Sequence, residues 1–91
     1  MFASVNNGVF LCEGCFKAHK TFGENVSFLK SFTTDEWDQV LFLYMRLGGN
    51  ANLYSFFQQY KLEKEFPMVK YRTRAAEYYR ARVFLACINV V

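Results

Sequence analysis

Two cysteines three positions apart are the residues of this sequence best suited to bind a metal. Cys12 and Cys15 form a C-x2-C pair. A zinc module built from two such pairs needs four thiolates, with about 15–20 residues between the pairs. The remaining cysteine, Cys87, lies far downstream in an apolar helical pattern, and a pair spaced upstream of Cys12 would fall before Met1. The sequence therefore predicts half of a structural zinc site.

Other interpretations of these residues stay open. A C-x2-C pair can also be a redox motif, although no βαβ pattern surrounds this one. His19 is the single histidine and could add a ligand, but a lone histidine on a helix is more often packed or hydrogen-bonded. Two thiolates alone hold zinc weakly, so we expect low occupancy. The absence of a signal-peptide pattern favours a reducing compartment, and metal rather than disulfides.

Composition limits the class of protein. The 91 residues allow one small domain, and 53% hydrophobic content with 11 Phe and 6 Tyr suits a packed core. The net charge of +3 is uneven, because from residue 61 onward seven basic residues accompany three acidic ones. This basic end could attract anionic lipid, or it is simply a solvated helix face. Its basic residues do not alternate with exposed aromatics around a groove motif, which disfavours nucleic acid as a partner.

Local patterns predict an α+β domain, with helices around a small antiparallel sheet. Turn residues, alternation and helical spacing give the elements. They are a strand at residues 8–12, a short helix carrying Phe16, His19 and Lys20, a strand at 28–32, a helix that begins with a capping box at 33–36 and stops at Gly48-Gly49, a helix capped by Asn50, and a last helix at 73–86. No G-x-x-x-x-G-K-[ST] loop occurs, so we expect no GTP binding by this chain alone.

Several motifs follow one another in a fixed order. They are residues 3–12, Cys15, His19-Lys20, Phe22-Gly23, Val26-Ser27, Ser31, Asp35, Trp37, Gly48-Gly49-Asn50 and residues 70–80. This order resembles the zinc-finger domain of the GTPase-activating proteins for ADP-ribosylation factors (Arf GAPs), and most of all the branch with that domain at the extreme N-terminus. The resemblance implies an Arf GAP fold that lacks its first C-x2-C knuckle, with a partial domain at residues 1–88 and a tail at 89–91. It also implies structural zinc on Cys12 and Cys15.

One position bears directly on catalysis. The family places an arginine five residues after the last knuckle cysteine, and the resemblance implies that this residue, here Lys20, is the arginine finger. Such a finger neutralises charge that develops between the β- and γ-phosphates of GTP. Lysine offers one ammonium on a shorter reach instead of a planar fork. Lys20 is therefore either a weakened finger or a solvated surface lysine.

The resemblance assigns four further residues. Phe2 stands where the family usually has tryptophan, and at a chain end we expect little to hold it. Asp35 matches an acidic residue that orients the finger region, although it also reads as a first-turn aspartate favoured by the helix dipole. Lys30 occupies a position that is usually arginine. Asn50 matches a Gly-Asn pair that a helix stop and cap would explain. We assign Phe2, Lys30 and Asn50 to partner binding.

Taken together, these residues predict a regulator of another enzyme. The resemblance implies activation of GTP hydrolysis on a GTP-bound Arf-type small G protein, and so a role in vesicle traffic. The alternatives are a non-catalytic Arf-binding module and an unstable truncated gene product. No apolar run reaches the about 20 residues that cross a membrane. We expect a cytoplasmic monomer with peripheral recruitment to Golgi or endosomal membranes.

Overall fold

The computed structural model describes residues 1–90. Within these residues there are three short strands and five helices, and a 3-10 turn at Val5–Asn7 follows the first strand. In chain order the elements are β1 (Phe2–Ser4), β2 (Val9–Leu11), α1 (Glu13–His19), β3 (Leu29–Ser31), α2 (Gln39–Leu47), α3 (Asn50–Gln59), α4 (Pro67–Lys70) and α5 (Arg74–Val90).

The sheet is antiparallel and has the order β2-β1-β3. Ala3 in the central strand faces Phe10 on one side and Lys30 on the other. The predicted α+β class and the strands at 8–12 and 28–32 are thus confirmed, each strand being slightly shorter than expected. The central strand itself was not predicted, because a three-residue segment at the chain end carries no local signal of its own.

Two clusters of buried side chains lie on opposite faces of this sheet, since alternate residues of a strand point to opposite sides. The larger cluster joins β2 to α3 and α5, and its most buried aromatic residue is Phe57, with 2% of its surface exposed. The smaller cluster joins Ala3 and Val5 to Met45 of α2. Both clusters hold the sheet in place, and with it the helix α1 that follows β2.

Three glycines bring the end of α2 into close backbone contact with the turn before β2. Gly49 donates its N–H to the carbonyl of Gly8 at 2.7 Å. A Cβ on Gly48 would lie 2.8 Å from the Cα of Gly8, which is closer than real side chains come. Gly8 itself has φ +66°, a left-handed conformation that glycine adopts without strain. The predicted stop of α2 at Gly48-Gly49 is confirmed, and close backbone packing explains it.

The predicted capping box at residues 33–36 is wrong. α2 begins at Gln39, where Asp38 is the cap and its Oδ1 accepts from the N–H of Leu41 at 2.9 Å. Residues 33 and 34 instead donate their N–H groups to Ser31 Oγ at 3.2 and 3.3 Å. A serine hydroxyl that binds the following backbone forms a turn, and this turn delays the helix.

The last helix begins within one residue of the prediction and ends later. Thr73 Oγ1 accepts from the N–H of Ala76 at 3.1 Å, as an N-cap does. α5 continues to Val90, so residues 89 and 90 of the predicted tail are helical, and residue 91 lies outside the described part of the chain. No helix within residues 1–90 is long and apolar enough to cross a membrane.

Candidate functional site

Lys20 lies immediately after α1, where the helix ends. Its backbone N–H donates to the carbonyl of Phe16 at 3.1 Å, so the last turn of the helix fixes its main chain. Its Nζ lies 4.6 Å from the centroid of the Phe16 ring, in a cation–π contact. The side chain is exposed. Lys20 therefore presents a positive charge to solvent from a defined position.

Phe2 supports that position from the sheet. Its ring stacks on Phe16 with 4.0 Å between centroids and 17° between planes. The strand pairing of Phe2 with Leu11 and Ser31 holds its backbone on both sides. The expectation that little would hold Phe2 is wrong, because the chain end forms the central strand. Phe2, Phe16 and Lys20 form a layered stack.

Arg72 is a second cation beside Lys20, and sequence reasoning did not select it. Its Nη2 donates to the carbonyl of Thr21 at 3.3 Å, and its guanidinium carbon lies 5.9 Å from the Phe22 ring centroid. Thr21 directly follows Lys20, so two exposed cations are anchored at consecutive residues of one turn. Because 51 residues separate Arg72 from Thr21, no local pattern could reveal this contact.

A chain of hydrogen-bonded polar side chains, most of them buried, begins at His19, the residue before Lys20. His19 Nδ1 is 2.7 Å from Ser27 Oγ, and Ser27 Oγ is 2.6 Å from Ser4 Oγ. Asn7 Nδ2 donates to Ser4 Oγ at 2.8 Å, and Arg80 Nη1 donates to Asn7 Oδ1 at 3.3 Å. Because buried polar groups are costly when unpaired, this network fixes the relative positions of α1, β1 and α5.

The His19 ring is held in place by packing as well as by hydrogen bonding. Only 2% of its surface is exposed, and its centroid lies 4.7 Å from that of Phe22 and 4.6 Å from that of Tyr71. Burial, and then the nearby charge of Lys70, lowers the pKa of His19 from 6.5 to about 4. The imidazole is therefore neutral near pH 7, and the expectation of a packed, hydrogen-bonded histidine is confirmed.

Cys12 and Cys15 lie together at the start of α1, and both are exposed. The N–H of Cys15 donates to Cys12 Sγ at 3.4 Å, so Cys12 caps the helix. This backbone hydrogen bond, followed by one from the Cys15 side chain, lowers the pKa of the Cys12 thiol. The hydrogen bond from Cys15 to Cys12, together with burial, raises the pKa of Cys15. The two cysteines are thus linked by a hydrogen bond within the first turn of α1.

A complete four-ligand zinc site does not form from the described residues. Within residues 1–90 no group of three or more His, Cys, Asp or Glu side chains could hold a metal ion. Cys87 is buried on α5, and Nδ1 of His19 is engaged by Ser27. Cys12 and Cys15 thus match half of the tetrahedral set that structural zinc requires.

Asp35 and Trp37 bind the outer edge of β3. Ser31 donates its N–H to Asp35 Oδ2 at 2.6 Å, and Trp37 Nε1 donates to the Ser31 carbonyl at 2.9 Å. Asp35 lies before α2, so the alternative of a first-turn aspartate is wrong. Within residues 1–90, Asp35 and Lys20 share neither a hydrogen bond nor a salt bridge.

Asn50 binds the opposite edge of the sheet. Its Oδ1 accepts from the Phe10 N–H at 2.7 Å, and its Nδ2 donates to the Phe10 carbonyl at 3.1 Å. The predicted capping role is wrong, because α3 begins at Asn50 itself and Gly49 stands at its cap. The side-chain amide thus makes the two hydrogen bonds to Phe10 that a neighbouring strand would make on this edge.

Lys30 lies on β3 opposite Ala3 and is half-buried. Its Nζ is 5.7 Å from the centroid of the Phe28 ring, two residues earlier on the chain. This contact leaves the ammonium at the sheet surface. Lys30 therefore remains a candidate for partner contact, at a separate point from the Lys20 turn.

Comparisons with known proteins agree with the motif order. A family model described as "Putative GTPase activating protein for Arf" matches residues 1–87. ADP-ribosylation factor GTPase-activating protein 3 of Bos taurus is 40% identical over 82 residues, which are 89% of this chain and 16% of that protein. ADP-ribosylation factor GTPase-activating protein GCS1 of Saccharomyces cerevisiae is 31% identical over 86 residues, 93% of this chain and 24% of that protein.

A solved structure shares the fold. The crystal structure of a "putative GTPase activating protein for ADP ribosylation factor" from Cryptosporidium parvum superposes with a TM-score of 0.84 at 23% identity, over 94% of this chain and 70% of that one. The chain thus spans about a sixth to a quarter of the length of these two curated relatives. Only the domain, and not the rest of those proteins, can be compared.

Proposed function

Since the chain belongs to the Arf GAP family, we propose that it is a GTPase-activating domain for an Arf-type small G protein. The observation that carries this proposal is the anchored, exposed cation at Lys20, in the position where the family has its arginine finger. The chain regulates the hydrolysis that its partner performs, so its substrate is the GTP-bound form of that partner.

The proposed chemistry is charge neutralisation. Negative charge spreads over the transferred phosphoryl group in the transition state, and a cation supplied by an activator stabilises it. The Lys20 ammonium supplies this charge, though without the two parallel hydrogen bonds that an arginine forms. The guanidinium of Arg72, held to the adjacent Thr21 carbonyl, adds a second positive charge at the same turn.

The other selected residues take supporting parts in this proposal. Asp35 fixes the end of β3 and thereby positions the finger region at a distance. The oxygen and the nitrogen of the Asn50 amide both bind the backbone of Phe10. Asn50 therefore shapes the partner-facing surface indirectly, by fixing β2. Phe2 holds the Phe16 ring beneath Lys20, and Lys30 offers its ammonium to the partner.

The proposal also includes a structural zinc ion. Cys12 and Cys15 would hold it, and its chemistry there would be to fix the knuckle rather than to act on GTP. The basic residues after position 60 suit peripheral contact with anionic Golgi or endosomal membranes, which fits a cytoplasmic protein of vesicle traffic. We expect the chain to be a monomer.

Single-turnover GTP hydrolysis on an Arf protein tests the proposal. We expect the wild-type chain to accelerate hydrolysis, Lys20→Ala to remove most of that acceleration, and Lys20→Arg to raise the rate at least about tenfold, a modest share of the 10³–10⁵ that an arginine finger can supply. Arf binding should change little, because the finger acts mainly in the transition state. Lys64→Ala, at another exposed lysine, is the matched control.

A non-catalytic Arf-binding module is the second candidate, and the lysine at the finger position favours it. In that case the wild type, Lys20→Ala and Lys20→Arg would all bind GTP-loaded Arf and leave its hydrolysis unchanged. A chain that fails to bind Arf at all would contradict both functions. Circular dichroism of each variant separates that result from loss of the fold.

A further inference from the structure

The segment around α4 exposes three large apolar side chains within four residues. They are Phe66, Met68 and Val69, with 79%, 58% and 48% of their surfaces exposed. Within residues 1–90 no large hydrophobic side chain is more exposed than Phe66. None of the three belongs to either core cluster. Apolar side chains that are grouped at a surface, without a part in the core, indicate contact with a partner.

The fold holds this segment in a defined shape at both ends. Leu62 packs against the larger core cluster on one side, and Tyr71 is buried in that cluster on the other. Between them, the Phe66 carbonyl accepts from the N–H of Val69 at 2.9 Å, and Pro67 fixes the backbone at the first position of α4. The apolar side chains are therefore presented by an ordered backbone, so binding through them costs little conformational entropy.

Basic residues flank the apolar side chains. Residues 61–72 contain four basic and two acidic residues, a net charge of +2. The basic residues are Lys61, Lys64, Lys70 and Arg72. Within residues 1–90 none of these four forms a salt bridge. Unpaired cations around an apolar patch are complementary to an anionic bilayer, which offers negative headgroups over an apolar interior.

The exposed apolar residues at the end of α5 lack this second property. Leu85 and Ile88 have 52% and 51% of their surfaces exposed, which is similar to the exposure of Val69. Residues 83–90, however, contain no basic residue. The combination of exposed apolar groups with flanking positive charge therefore distinguishes the segment around α4 from this part of α5.

We propose that residues 61–72, called the α4 segment below, bind an anionic lipid surface. Phe66, Met68 and Val69 enter the boundary between headgroups and acyl chains, and the basic residues beside them contact the headgroup phosphates. The proposal rests on the peripheral membrane contact included in the proposed function, and it names the surface that makes this contact. It does not depend on the chemistry of Lys20.

Binding through the α4 segment would place the Lys20 turn beside the lipid surface. Arg72, at the end of the segment, donates to the carbonyl of Thr21 at 3.3 Å, and Lys20 is the residue before Thr21. Helix α1, which ends next to Lys20, also contacts α4. A partner held at the same lipid surface would therefore meet this turn without a search in three dimensions.

Co-sedimentation with lipid vesicles tests the proposal. We expect the chain to bind vesicles of phosphatidylcholine with about 30% phosphatidylserine several-fold more tightly than vesicles of phosphatidylcholine alone, because the negative surface potential attracts the basic residues. An increase in NaCl from about 0.1 to about 0.5 M should weaken the binding, since salt screens this attraction. Phe66→Ser combined with Met68→Ser should lower the partition coefficient about tenfold or more, because less apolar surface leaves water.

Matched variants locate the contact. Leu85→Ser removes a similarly exposed apolar side chain outside the α4 segment and should bind vesicles as the wild type does. Lys61→Glu combined with Lys64→Glu should weaken binding to the anionic vesicles and leave binding to phosphatidylcholine unchanged. In NMR spectra recorded with bicelles that contain spin-labelled lipid, the methyl signals of Met68 and Val69 should broaden more than those of Leu85.

Three outcomes would overturn the proposal. They are no binding to the anionic vesicles, equal binding to both kinds of vesicle, and an equal loss of binding in Leu85→Ser and in the Phe66 and Met68 double variant. Circular dichroism confirms that each variant is folded. Arf GTP hydrolysis is measured separately in solution without vesicles, where the double variant should match the wild type. Failure of lipid binding is thereby distinguished from failure of GTPase activation.

Discussion

Acid should destabilise the fold through His19. The ring is 2% exposed, lies between two aromatic rings, and uses Nδ1 to bind Ser27. The ammonium of Lys70 is the charge that acts on it, and a positive imidazole would be repelled there. Protonation therefore costs both desolvation and repulsion, which is why the folded chain resists it.

The size and sign of the effect follow from the two pKa values. The unfolded chain binds this proton near pH 6.5, and the folded chain only near pH 4. Between these values the unfolded state binds more protons, so the free energy of unfolding falls as pH falls. The slope approaches about 1.4 kcal/mol per pH unit, giving a loss of about 3 kcal/mol in all. Above pH 6.5 the full stability is present.

Urea unfolding between pH 7.5 and about 4.5 measures this loss, followed by tryptophan fluorescence. His19→Gln is the matched variant, because glutamine keeps a hydrogen-bonding side chain and does not titrate. It should be less stable than wild type at pH 7, and the difference should shrink as pH falls. Carboxylates titrate in both proteins and cancel in the comparison. A wild-type advantage that stays constant from pH 7 to 4.5 would refute the reasoning.

Three further predictions concern packing, catalysis and the sheet. Gly48→Ala should lower the free energy of unfolding in urea by about 1–3 kcal/mol, because the new Cβ meets backbone atoms. Gly14→Ala, on an open helix face, should raise it by up to about 1 kcal/mol. Equal effects of the two substitutions would contradict the close contact between Gly48 and Gly8. Arg72→Ala should slow Arf GTP hydrolysis severalfold at unchanged affinity in the single-turnover assay, and an unchanged rate would exclude its contribution. Asn50→Ala should speed amide hydrogen exchange at Phe10, observed by NMR; unaltered exchange would mean that water replaces the side chain fully.

Local signals predicted the elements that depend on neighbouring residues. The strand before Cys12 is bounded by turn residues, the short helix carries Phe16, and Gly48 stops α2, all readable within a few positions. The family resemblance selected Lys20 for the finger position, and this role stays a prediction; what the structure adds is that the last turn of α1 and the Phe16 ring hold the residue. These predictions succeed because the physical cause lies within one turn or one strand.

Contacts between distant segments account for the failures. Asn50 binds Phe10 across 40 residues, so its amide was mistaken for a helix cap. Arg72 reaches Thr21 across 51 residues, and nothing in its own segment distinguishes it from the other basic residues. The failure to predict the central strand has the same cause, since β1 pairs with two strands that come later in the sequence. In each case tertiary structure, not local propensity, determines the outcome.

The side chains on the two sheet edges bear on how this chain avoids aggregation. On one edge, the backbone N–H and C=O of Phe10, in the middle of β2, are paired with the Asn50 side chain. On the other edge, the N–H and C=O of Ser31, at the end of β3, are paired with the side chains of Asp35 and Trp37. Unpaired edges are templates for strand addition, which is a particular hazard in a chain with 20% aromatic residues. A strand arriving from another molecule would first have to displace two existing hydrogen bonds on either edge, so the residues that shape the domain surface also guard it against amyloid-like growth.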